Sequence, residues 1–156
     1  MKPARITLFA LSALAVFFFF SPPAQAVELT WHSYTKGLKL AKEQKKPLMI
    51  NFYADWCGYC RKMDSETFTD EGVSQYLSEK FVLVKVNADV SKELSAAYYV
   101  RGLPNLWFVD SEGEKIAPLP GFAPPDNLMP ILKFIGTQAY KKMTFKDFVE
   151  NGGGRE

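Results

Sequence analysis

The sequence predicts an α/β fold built on a mixed sheet of four to five strands with helices on both faces. Its elements read, in order, helix, strand, helix, strand, helix, strand, strand, helix. A helix between the first two strong strands implies a right-handed crossover and parallel pairing. The tight turn Asp110-Ser111-Glu112-Gly113 between the last two implies an antiparallel hairpin. Together they give a mixed sheet covered on each side.

The first residues stand apart from that domain. Lys2 and Arg5 form a basic start. Ile6 to Phe20 is apolar apart from Thr7 and Ser12, and Ser21-Pro22-Pro23 breaks the run. Ala24-Gln25-Ala26 then offers the small-x-small pattern of a signal-peptidase site. Residues 1–26 read as a secretory signal peptide cleaved near Ala26. The competing reading, an uncleaved anchor, is disfavoured by the prolines and by an apolar run short of the ~20 residues a membrane span needs. No stable membrane insertion is expected after cleavage. The expected division is a folded domain over 27–137 and a C-terminal extension, 138–156, with a short helix and a flexible tail.

Each element has its own signal. Trp31 to Lys45 reads as a helix entered at Ser33, with Leu38, Leu40 and Ala41 turned inward and Gly37 a weak spot. Pro47 ends it. Leu48 to Ala54 is nearly all apolar, as a central strand covered on both faces must be. The helix carrying the two cysteines follows, and Asp70 caps another through Val73, Tyr76 and Leu77. Phe81 to Val86 is the second strand, and Ser91 caps a helix through Leu94, Ala97 and Tyr98. Asn105 to Val109 and Lys115 to Leu119 are the hairpin strands. Leu128, Ile131, Leu132 and Ile135 mark the buried stripe of a last long helix, whose Pro130 is expected in the first turn. Thr144 and Asp147 form a capping pair for a short terminal helix.

Charge narrows the function. Without Lys2 and Arg5, 17 basic residues face 17 acidic ones. A neutral domain has no broad attraction for nucleic acid or anionic membranes. The only two cysteines lie in Trp56-Cys57-Gly58-Tyr59-Cys60, between the first strong strand and a helix. A structural staple so short removes little chain entropy, so redox chemistry is the stronger reading. A thiol at a helix start meets unpaired backbone N–H groups. Such cysteines have pKa values of about 3.5–7.5 against about 8.5 for a free thiol. Cys57 is the expected attacking sulfur, and Cys60, one turn deeper, the resolving one. Gly58 leaves the backbone open, and Tyr59 can touch a partner. Asp64 falls on the same helix face and is the candidate acceptor for the Cys60 proton.

Metal is the rival chemistry. A closed zinc site needs four ligands, and the chain offers two cysteines and one histidine, His32. No metal and no cofactor beyond the Cys57–Cys60 disulfide are expected, with Cu(I) beside Met63 as the alternative.

Trp56-Cys57-Gly58-Tyr59-Cys60, the Gly102-Leu103-Pro104 turn before a strand, and the Gly113 hairpin followed by Gly121 resemble the thioredoxin superfamily over about residues 45 to 137. Tyr53-Ala54-Asp55-Trp56-Cys57 and Thr67-Phe68-Thr69-Asp70 are most similar to the periplasmic C-terminal domain of the transmembrane thiol–disulfide interchange reductases. The resemblance implies a cis Pro104 beside the cysteines, a substrate groove at Leu103 and Pro104, and Trp56 on its border. It also implies a buried Asp six residues before the first cysteine, where this chain carries Asn51. The function expected is an exported, periplasmic thiol–disulfide oxidoreductase, mainly a reductase. Its partners would be protein disulfide substrates, with a membrane thiol transporter as electron donor. The alternatives are a disulfide-donating oxidase or isomerase, and a non-catalytic redox or copper-binding module.

Overall fold

The computed structural model describes residues 27–153. The expected signal peptide and the last residues of the tail lie outside them. Among the described residues no helix is long and apolar enough to cross a membrane.

The strands are β1 (Trp31–His32), β2 (Leu48–Tyr53), β3 (Val82–Asn87), β4 (Asn105–Val109) and β5 (Lys115–Pro120). They form one sheet in the order β1-β3-β2-β4-β5. β2 runs parallel to β3 and antiparallel to β4, and β4 pairs antiparallel with β5. The mixed sheet, the parallel β2–β3 pairing and the antiparallel β4–β5 hairpin are as expected. Asp110 closes the hairpin by accepting from the backbone N–H groups of Glu112 and Glu114, each at 2.9 Å.

The helices are α1 (Tyr34–Gln44), α2 (Gly58–Lys62), α3 (Glu71–Lys80), α4 (Lys92–Ala97), α5 (Pro125–Gly136) and α6 (Phe145–Glu150). Strand alternation divides the core between the two faces of the sheet. Met49, Leu83, Leu106 and Phe108 pack with α3 and α5 on one face; Ile50, Phe52, Val84 and Val109 pack with α1 and Tyr98 on the other. α5 lays down the expected stripe, with Leu128, Leu132 and Ile135 buried. Beyond it, Phe145 meets Phe134 edge-on at 5.4 Å and Phe148 packs tilted against it at 5.3 Å, and α6 opens on the capping box of Thr144 and Asp147.

Four local expectations are corrected. Trp31 and His32 are an edge strand parallel to β3, not the start of α1; two residues are too few for alternation to register in sequence. Ser33 opens α1 as expected, but Ser91 sits at the N-cap of α4 without a side-chain cap bond, whereas Asp70 accepts from Val73 N at 2.9 Å. Pro130 lies in the second turn of α5, because Pro125 occupies its start. The carbonyl it leaves unpaired belongs to Asp126, an exposed residue that water can reach.

The fourth is Gly37. It is buried, and an added Cβ would lie 2.1 Å from Val84 Cγ2 and 3.2 Å from Leu48 Cδ1. The glycine lets α1 sit on β2 and β3, so it is a contact point and no longer a weak spot. Gly37→Ala is expected to cost about 1–3 kcal/mol by overpacking. A denaturant midpoint equal to wild type would contradict this close approach.

Candidate active site

β2 ends at Tyr53, and Ala54 to Trp56 carry the chain off the sheet. Cys57 is the N-cap of α2, with extended backbone, and Cys60 lies one turn along. The two form a disulfide with Cα atoms 5.2 Å apart. Both are nearly covered, 4% and 3% exposed. The Cys60 backbone N–H donates to Cys57 Sγ at 3.1 Å. Ala54, Tyr53 and Leu103 pack around the sulfurs.

The Leu103–Pro104 peptide is cis, as the family resemblance implies. Leu103 thereby borders the disulfide from the β4 side. Trp56 and Tyr59 flank the cysteines and stand 69% and 64% exposed. Trp56 is held by its indole N–H, which donates to Asp89 Oδ2 at 2.7 Å. Gly58 leaves open space, with only the Arg61 guanidinium, at 3.9 Å, near an added Cβ.

The helix expected to carry Cys57, Cys60 and Asp64 on one face is not uniform. After α2 it widens into a π-helical turn over Met63–Thr67, closed by Phe68 N to Met63 O at 3.0 Å. Met63 is thereby sunk in the core. Asp64 turns to β3, where Lys85 Nζ donates to its two carboxylate oxygens at 2.9 and 2.8 Å. The same ammonium stands 4.9 Å from the Tyr53 ring centroid and 5.6 Å from that of Trp31. The ion pair opens on a cavity of about 470 Å³ between Leu29, Trp31 and Phe68.

Asn51 sits beneath this corner. It pairs in register with Lys85 on β3 and Leu106 on β4 and is 2% exposed. Its Oδ1 is buried with no hydrogen-bond partner among the described residues. An acceptor left unpaired in this way costs about 1–3 kcal/mol. Among the described residues no three His, Cys, Asp or Glu side chains gather as a metal site.

Lys85 and Asp89 are the residues beside the site that sequence reasoning passed over. Lys85 and Asp89 reach Asp64 and Trp56 across 21 and 33 residues. Lys85 had one usable signal, a charge inside the apolar run Phe81 to Val86.

A sheet of this order with a disulfide at the start of the helix after its central strand defines a thioredoxin-like redox protein. The chain belongs to that family: the thioredoxin-like domain matches residues 34–136. It is 36% identical to the thiol:disulfide interchange protein DsbD of Vibrio vulnificus over 76% of this chain and 22% of that protein. With the disulfide bond reductase DsbH of Chlamydia pneumoniae it shares 31% identity over 65% of this chain and 68% of that one. Among solved structures, the oxidised C-terminal domain of Neisseria meningitidis DsbD aligns with a TM-score of 0.50. That match is 30% identical and covers 64% of this chain and 93% of that domain. The chain therefore spans less than a quarter of the DsbD protein it matches.

Proposed function

We propose that this chain is an exported protein-disulfide reductase, matured by cleavage near Ala26 and working in the periplasm. Residues 27–137 are its catalytic domain and 138–156 an extension. The observation that carries the reading is the Cys57–Cys60 disulfide at the head of α2, beside the cis peptide before Pro104. The relatives named for thiol–disulfide interchange and disulfide reduction support it.

The reaction runs from the dithiol. Cys57 thiolate attacks one sulfur of a client disulfide, forms a mixed disulfide and expels the first client thiolate, which takes a proton from solvent. Cys60 then loses its proton to Asp64, and its thiolate attacks Cys57 Sγ. The second client thiolate leaves and is protonated. The client has gained two electrons and two protons, and Cys57–Cys60 is a disulfide again. A membrane thiol transporter returns the electrons. The client segment lies extended along Leu103 and Pro104, between Trp56 and Tyr59, with Gly58 leaving room for its backbone.

Direction is a matter of potential. Equilibration with glutathione should give a value near that of reducing thioredoxins, about −270 mV, and a value near about −120 mV would make the chain a disulfide-donating oxidase.

Asn51 bears on the resolving step. It cannot accept a proton, so either Asp64 takes that role alone or resolution is slower. Asn51→Asp should place a second acid beside Lys85 and speed the attack of Cys60. General-base catalysis of this type is worth about 10²–10⁴-fold, and the gain should be toward the lower end because Asp64 is present. Asp64→Asn should slow the same step. Stopped-flow traces that do not change in either variant would remove Asp64 from the mechanism.

A further inference from the structure

Phe122 stands where three parts of the site meet. It follows Gly121, whose φ of +88° lies in the region that favours glycine. Gly121 N–H donates to Pro104 O at 2.8 Å, which ties the loop after β5 to the cis-proline turn. On the other side of Phe122, the buried Thr67 hydroxyl donates to Ala123 O, also at 2.8 Å. The loop is thus clamped at both ends, once by the groove and once by the π-helical turn behind the disulfide. Between the clamps the Phe122 ring faces Tyr59, with centroids 6.3 Å apart and planes inclined by 36°. Lys62 Nζ lies 4.7 Å from the Phe122 centroid.

Tyr59 and Lys62 both belong to α2, so this aromatic shelf and its cation are rigidly joined to the cysteines. The charge of Lys62 is only loosely engaged. Its acidic partner among the described residues is Glu66, at 3.8 Å, one turn along and exposed. A pair of that type barely restrains an ammonium group, which stays free to meet a second carboxylate. The neighbouring ring holds the cation at the edge of the apolar surface. A polypeptide passing over Cys57 toward Tyr59 therefore meets apolar aromatic surface first and positive charge at its margin.

We infer that Phe122 and Lys62, with Tyr59, are specificity-determining residues. They select client segments that carry a large apolar side chain within two residues of the reactive cysteine and an Asp or Glu just beyond it. This rests on the reductase reading and names the client chemistry of the same site. Tyr59 lies two positions after Cys57 at the start of α2, and extended segments advance about 3.3 Å per residue, so client side chains within two residues of the attacked sulfur are the ones in reach of the shelf that Tyr59 forms with Phe122. An apolar contact of this kind discriminates by about tenfold or more. A rim charge contributes a few-fold.

The test uses four disulfide-closed peptides that differ only beside one cysteine: Phe or Ala at the near position, Glu or Lys at the next. Their reduction by the dithiol form of the chain is followed under kcat/KM conditions. Wild type should prefer Phe over Ala by about tenfold and Glu over Lys by about threefold. Phe122→Ala should bring the first ratio close to one, with Phe122→Leu between. Lys62→Glu should invert the second. Each ratio is taken within one variant, so a general loss of folding or reactivity does not imitate the effect. Equal rates with all four peptides in wild type, or wild-type ratios in the variants, would overturn the inference and leave the reductase reading standing. If no peptide is reduced in a Cys57-dependent way, the reductase reading falls and this one falls with it.

Discussion

Cys60→Ser should arrest the reaction halfway and accumulate covalent partners on Cys57. The variant keeps the attacking sulfur at the head of α2 and loses the one that releases the client. Turnover should drop to the uncatalysed level while mixed disulfides build up, visible as reducible adducts on non-reducing gels. Cys57→Ser should form none, because the remaining sulfur lies one turn inside α2, away from the N-cap position. Mass spectrometry of the adducts from periplasmic extracts would identify the clients. If Cys60→Ser turned over like wild type, or Cys57→Ser trapped partners equally well, the roles given to the two sulfurs would be wrong. A binding module that uses the disulfide only as a staple predicts that Cys57→Ser retains function.

Phe52→Ala should be the most damaging change outside the cysteines. Phe52 is fully buried on the central strand, pairs in register with Val86 and Asn105, and lies 5.5 Å from the Tyr98 ring. Truncating a buried phenylalanine costs about 3–5 kcal/mol, the lost transfer energy plus the cavity left behind. A domain of this size is stable by about 5–15 kcal/mol in all, so the variant should melt far below wild type and could unfold at 37 °C. Urea denaturation reads the difference directly. A loss under about 1 kcal/mol would mean that the α1 face collapses around the gap, contrary to the close packing that Gly37 shows there.

The architecture was legible because its signals are local and strong. Leu48 to Tyr53 is apolar apart from Asn51, the pattern of a central strand covered on both faces. The hairpin was written in Asp110 to Gly113, the α5 stripe in four apolar residues at helical spacing, and α6 in Thr144 and Asp147. The cysteines needed only their spacing and the strand before them. The misses have a shared cause. β1 is too short for a period, and the π-helical turn depends on Met63 being drawn into the core, which no spacing announces.

By itself, then, the sequence determined the parallel pair β2–β3, the β4–β5 hairpin and the pair of sulfurs, since period, turn chemistry and motif spacing act between residues near in the chain. Tertiary structure alone decided what surrounds those sulfurs. Lys85 comes to Asp64, Asp89 to Trp56, and Thr67 to the carbonyl of Ala123 beside Phe122, over separations of 21, 33 and 56 residues. Such contacts exist only once the strands have paired and the helices have packed. A hydrogen bond or a ring contact depends on a few ångströms of position, and sequence distance carries no information about that.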